Sequence, residues 1–363
     1  MNAMRSIYSR HILSQRGNKL IRSTSFIIMI MTSFITLSCD KNQSTAPSTG
    51  TNDHTRGWET LSTRNSPLPH DRITSIINDG QNRKWIGTYG GGPAMYDGDD
   101  WYVFKLLQPD LPIKYINSLA LDFFNVLWVG TDGDGLFRYN GLSWEPLNTN
   151  HSEPGSEYIT VITVDQLNNK WVGTRSGLSL FDGNIWTHYS TENTDMPEDH
   201  ITAIAIDAYG TKWIGTVSGF LLKFNANTLH VYDKNHSNLL GERIHAIFID
   251  DVGDKWIGTD IGLAKYDNNL WTEFPIDGNR IDGPVQCIAV DDTNVWIGTK
   301  YDPDLSQYQG GLAHFNGKEW TLYKKNNSGL PDNDIRVLKF DQDNKLWIGT
   351  TYGGVGIFDT DNL

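Results

Sequence analysis

Seven short turns begin directly after the Thr of a Trp-Ile/Val-Gly-Thr run, at Tyr89, Asp132, Arg175, Val217, Asp260, Lys300 and Thr351. Their charge and shape vary while the run before them hardly does. Variable turns on a constant frame suit ligand recognition, because binding residues concentrate on loops held by a rigid scaffold. The turn after Lys300 is the longest. It holds Tyr301, Asp302, Asp304, Gln307 and Tyr308 before Gly310-Gly311. Two tyrosines among polar groups would stack on a ligand and hydrogen-bond to it, and the insertion is placed to act as a lid. Tyr89 and Tyr352 would add stacking surface. Read one at a time, these residues are equally solvated turn positions; the set as a face favours binding.

Other chemistry-bearing residues are weaker candidates. Asp132-Gly133-Asp134-Gly135 resembles part of a calcium loop but lacks its late Glu, so a turn is expected and no metal. His151, His200, His236 and His245 lie in or near links between repeats, without ligand spacing. No Gly-x-Ser-x-Gly elbow or phosphate loop occurs. Carboxylate pairs for glycoside hydrolysis are invisible to sequence spacing across a ring. Cys287 sits inside an apolar run and reads as core. Neither a catalytic residue nor a cofactor is expected.

The elements that must position the turns come from the run itself. It starts at Trp85, Trp128, Trp171, Trp213, Trp256, Trp296 and Trp347, at intervals of 43, 43, 42, 43, 40 and 51 residues. Each unit holds four short runs rich in β-branched and aromatic residues, bounded by Gly, Asp or Asn, which read as strands. Pairs such as Asp97-Gly98, Asn140-Gly141, Asp182-Gly183 and Asn316-Gly317 suit hairpin turns. Four strands in 40–45 residues is one propeller blade. A small sheet cannot bury both faces alone, so blades stack around an axis. The motif Gly is odd for a strand and marks a close approach between blades. An Asp recurs after the first strand (Asp79, Asp122, Asp165, Asp207, Asp250, Asp291, Asp341) and is expected to fix the turn.

Six further tryptophans, Trp58, Trp101, Trp144, Trp186, Trp271 and Trp320, would start fourth strands, and Leu229 takes that place in the unit of Trp213. Trp58 has no motif before it, and the last unit ends without a fourth strand. The expected fold is therefore all-β: a seven-bladed β-propeller over 57–363, four antiparallel strands per blade, with Trp58-Glu59-Thr60-Leu61 completing the blade of residues 335–358. Closure leaves no open sheet edge, and a monomer is expected.

Residues 1–38 combine Arg5, Arg10, Arg16, Lys19 and Arg22 with the apolar stretch 25–37, as a secretory signal does. Thr36-Leu37-Ser38-Cys39 resembles a lipoprotein cleavage box, which makes Cys39 the candidate lipidation site. Residues 39–56 read as a flexible tether to a membrane, placing the ring in the periplasm or at the cell surface. The full chain carries −13 formal charge. Without the five basic residues before Cys39, 25 basic residues face 43 acidic ones, or −18. That excludes nucleic acid and anionic membrane as partners of the ring, which need basic patches, and is compatible with a neutral ligand such as a carbohydrate.

The units at 158–189 and 334–358, with Ile-Thr-Val-Ile, Lys-Trp-Val-Gly-Thr and Phe-Asp-Gly before Trp-Thr-His-Tyr in the first, resemble the two-component regulator propeller repeat. The resemblance spans about 57–363. It implies an extracytoplasmic propeller of the kind that recognises oligosaccharides or other polymer fragments for hybrid two-component sensors. Those sensors carry more repeats, an immunoglobulin-like domain and a kinase; none is expected here, so signalling would fall to a separate protein partner. The ligand-binding candidates are Tyr89, Asp132, Arg175, Asp260, Lys300, Tyr301, Asp302, Tyr308 and Tyr352. Two other functions remain open: a lyase or hydrolase acting at the central funnel, and a scaffold that docks another protein.

Overall fold

The computed structural model describes residues 55–108, 111–147, 154–225, 228–234, 239, 241–267, 269–292, 294–301 and 308–363. The signal region, Cys39 and most of the tether lie outside these described residues, as do Asp302, Asp304, Gln307, His151 and His236.

Seven four-stranded antiparallel sheets form a seven-bladed β-propeller. The first blade pairs Ile73–Asn78, Lys84–Thr88, Gly92–Tyr96 and Trp101–Val103 in chain order. The next five repeat that order. The first strand of each blade packs on the first strand of the next, and Ile335–Phe340 packs back on Ile73–Asn78, which closes the ring. The last sheet is completed as the sequence predicts. Trp58–Leu61 pairs antiparallel with the strand Val355–Asp359, Trp58 opposite Phe358 and Leu61 opposite Val355. One difference lies in the first blade. The fourth strand that Trp101 starts ends at Val103, and Phe104 begins a one-turn helix, Phe104–Leu107. Its ring still stacks on Trp85 at 5.5 Å, the contact that Tyr189, Tyr232, Phe274 and Tyr323 make from continued strands in other blades.

The motif glycines are explained by contact. A Cβ on Gly87 would lie 2.7 Å from Ile116 Cγ2 of the next blade, and on Gly215 2.4 Å from Ile244 Cγ2. The same clash recurs at Gly130, Gly173, Gly258, Gly298 and Gly349, the last against Ile73 across the ring closure. Each opposing Ile or Val is fully buried. Without the hydrogen at these positions the blades could not approach.

The recurring Asp and Trp form a second repeated unit. Oδ2 of Asp122, Asp165, Asp207, Asp250 and Asp341 accepts the indole N–H of the Trp six residues on, at 2.8–3.2 Å. Oδ1 accepts backbone N–H groups of the turn, such as Phe124 and Val126 in the second blade. Burial pushes these carboxyls up, but the donated bonds outweigh it, so Asp122, Asp165 and Asp341 sit below the usual carboxylate range. Two blades differ. Asp79 binds Arg83 at 2.6 Å, leaving the Trp85 indole N–H without a protein partner. Asp291, in a tighter hairpin, makes no such bond, and Trp296 instead stacks on His314 at 4.0 Å. The Lys before the motif Trp ties neighbours together: Lys84 Nζ lies 3.1 Å from Asp341 Oδ2 and 5.0 Å above the Trp347 ring. Lys170 repeats this on Asp122 and Trp128.

The second set of tryptophans flanks the outer hairpins. Trp101, Trp144, Trp186, Trp271 and Trp320 face Tyr96, Tyr139, Phe181, Tyr266 and Phe315 across the sheet, with ring centroids 4.7–4.9 Å apart. Trp58 makes the equivalent stack on Phe358 at 4.5 Å.

Two outcomes follow for chemical denaturation. Gly215→Ala overpacks a blade interface and is expected to lower stability by about 1–3 kcal/mol. Trp58→Ala unpicks the closing stack and is expected to cost about 3 kcal/mol, with loss of a single cooperative transition if closure holds the ring together.

Candidate functional site

The seven innermost strands share an irregularity with functional weight. In each, pairing with the second strand skips one residue: Ile73 and Ser75 face Thr88 and Gly87, and Thr74 between them has no partner. The same bulge recurs at Asn117, Thr160, Thr202, His245, Gln286 and Arg336. A bulge re-aims the extra side chain. Here all seven line one cavity of 420 Å³ on the axis. Thr74 Oγ1 donates to Gly87 O, and Asn117 Nδ2 to Ile159 O of the next blade. Thr160 Oγ1, Thr202 Oγ1 and Gln286 Nε2 are buried without a protein partner.

The mouth of this funnel is built from two further positions per blade. The residue after the motif Thr donates its N–H to the carbonyl of the residue before the first strand: Tyr89 to Arg72, Asp132 to Tyr115, Arg175 to Tyr158, Val217 to His200, Asp260 to Arg243, Lys300 to Pro284, Thr351 to Asp334. The expected turns and the links between blades therefore open on one face.

Tyr89, Asp132 and Arg175 are brought together. Tyr89 OH donates to Asp132 Oδ2 at 2.8 Å, and Arg175 Nη2 donates to Asp132 Oδ1 at 2.6 Å. Arg72 lies 4.1 Å over the Tyr89 ring and Arg175 4.5 Å over Tyr158. The hydrogen bond to Asp132 and burial raise the Tyr89 hydroxyl above its ordinary value, so it acts as a donor. Asp132 is thus committed to its neighbours, and among the described residues no group of three or more metal-ligating side chains converges.

Asp260, Lys300 and Tyr308 meet in a second cavity of 760 Å³, walled by Ile261, Pro275, Ile276 and Pro284, with Glu273 at its edge. It shares Arg243, His245 and Gln286 with the axial cavity, so the two adjoin. Asp260 Oδ1 accepts the backbone N–H groups of Glu242 and Arg243. Tyr301 is exposed and lines neither cavity, and Tyr352 stands 75 % exposed away from both. Asp302 falls outside the described residues.

Sequence reasoning named Arg175, His200 and His245 but singled out none of Arg72, Arg243 and Arg336, nor the basic side of the funnel that these residues form together. Arg72, Arg175, Arg243 and Arg336 all line the axial cavity, together with His200 and His245, and among the described residues no Asp or Glu lines it. Arg336 Nε donates to Thr351 Oγ1 at 2.8 Å and lies 3.3 Å from Asp334 Oδ1. Burial pushes the buried Asp334 carboxyl up, against the pull of Arg336. Burial, then Arg243, Lys300 and Arg336, push His245 down to about 3. Burial, then Arg243 and Arg175, also lower His200. The signal was present: the residues flanking the first Ile or Val of each unit vary as much as the turns do.

The comparisons with known proteins agree on architecture. The family model described as two component regulator propeller matches residues 329–352, a stretch that leads into and spans most of the last motif unit. One similar solved structure is described as the extracellular domain of a hybrid two component system from B. thetaiotaomicron: 21% identity, TM-score 0.69, covering 84% of this chain and 41% of that one. A second such domain from the same organism gives 18% and 0.67, covering 83% and 39%. This chain thus spans about two fifths of their length. Virginiamycin B lyase from Staphylococcus aureus, at 12% identity and TM-score 0.62, covers 83% of this chain and 98% of its own. At these identities the likeness is one of fold. No curated protein matches the sequence.

His245 supplies a pH test. The unfolded chain takes up a proton near 6.5, whereas the folded imidazole resists until about 3. Protonation therefore favours unfolding across that window, and stability falls as pH drops from 6.5 towards 3. His245→Gln is expected to flatten this slope in denaturant titrations, with little effect above neutral pH.

Proposed function

We propose that this chain is a non-catalytic, extracytoplasmic binding propeller that recognises a glycan or other polymer fragment at the funnel mouth. Lipid at Cys39 and the segment 40–56 would hold it at a bacterial membrane, and a separate protein would read out binding. The observation that carries this reading is the junction of the two cavities. There, unpartnered polar atoms at the axis adjoin a wall of Tyr308, Pro275, Ile276 and Pro284. Buried polar groups beside flat apolar surface match the alternating hydroxyl edges and CH faces of a sugar.

The non-catalytic reading is supported by the company His245 keeps. The charged groups acting on it are Arg243, Lys300 and Arg336. A general base works best with its pKa near the operating pH, and burial among these cations leaves the imidazole too weakly basic to take a proton there. The fold shared with a lyase keeps an enzyme in view, but it carries no chemistry by itself.

Titration calorimetry of the purified protein against a panel of oligosaccharides tests the reading. Tyr308→Ala is expected to weaken binding about tenfold, roughly 1.4 kcal/mol, and Tyr301→Ala to leave it unchanged. Equal affinity in Tyr308→Ala would remove the cavity from the proposal. Turnover of any bound sugar would replace it with an enzyme.

A further inference from the structure

Resting on that binding reading, we infer that the ligand is acidic: a saccharide whose carboxylate docks on the arginines of the axial cavity while its ring lies in the adjoining cavity beside Tyr308. The premise is a local reversal of charge. The chain carries 43 acidic against 30 basic residues. Yet four arginines and two histidines line the axial cavity, and among the described residues no carboxylate does.

The acids near the mouth are already engaged. Asp132 holds Arg175, Asp334 lies against Arg336, and Asp260 accepts two backbone N–H groups. Arg72 rests on the Tyr89 ring, and neither Arg72 nor Arg243 makes an ion pair among the described residues. Like charges gathered in a concave, partly dry site repel one another and attract an anion strongly. A guanidinium offers a carboxylate two parallel N–H donors, which an ammonium cannot. The unpartnered Gln286 Nε2 and the hydroxyls of Thr160 and Thr202 lie in the same wall, ready to bond the flanking hydroxyls. The second cavity has mixed charge, lined by Arg243 and Lys300 as well as Asp260 and Glu273, so it suits the neutral part of the ligand.

The test is calorimetry of the purified full-length protein with uronate-containing oligosaccharides (galacturonan, glucuronan and alginate fragments), their carboxyl-reduced counterparts, and inorganic phosphate. At least one acidic fragment is expected to bind about tenfold tighter than its reduced form. Its affinity should weaken as salt rises from about 50 to 300 mM. Arg72→Gln with Arg243→Gln should lose about tenfold for the acid and distinctly less for the reduced sugar, which narrows the gap between the two. The Lys pair should recover only part, and melting curves report whether the variants fold.

Equal binding of acidic and reduced forms, or an unaffected Gln pair, overturns the acidic ligand while leaving the binding reading intact. Phosphate binding with no saccharide bound overturns the inference as a bare anion site. Silence across acidic and neutral sugars alike overturns both readings.

Discussion

Everything in this ring depends on a missing methyl group. At seven positions the backbone of one blade approaches an Ile or Val of the next so closely that only a hydrogen fits, with the added Cβ 2.4–2.7 Å from the opposing side chain. That contact sets the spacing between blades. Seven equal spacings put the first strands around a common axis and leave the last sheet one strand short. The segment Trp58–Leu61 fills that place. The buried Asp–Trp bond and the Lys that reaches to the preceding blade lock the same interface from the outer side.

Because the contact is identical in every blade, it frees other positions to differ. The bulged second residue of each first strand takes part in no ladder pairing, so its identity is not constrained by the sheet. The residues on either side of the funnel rim share one backbone hydrogen bond in every blade, whatever their side chains. Around the axis these positions run from Thr to Arg and from Tyr to Asp without disturbing the fold. A scaffold of uniform packing thereby carries a non-uniform surface, concentrated where seven loops converge.

Net charge is a poor guide to such a surface. The excess of acid suggested a neutral ligand, and the ring as a whole remains acidic. The arginines at the axis, however, come from four different blades and sit 68 residues or more apart in the chain. Summation over the sequence averages them away, whereas the closed ring focuses them. The inserted turn stood out in sequence because it lengthened one interval. Of its tyrosines, Tyr308 lines a cavity and Tyr301 does not.

The sequence alone determined blade number, strand order, the closing segment and the cause of the motif glycine, because each is a local pattern repeated at fixed period. It also located the face, since variable turns mark themselves against a constant background. Tertiary structure decided which side chains meet. A strand's alternation says which residues share a face, but a bulge shifts that alternation by one and leaves no residue type to announce it. Only closure of the ring turns seven such residues inward, and only then do Arg72, Arg243 and Arg336 become neighbours of one cavity.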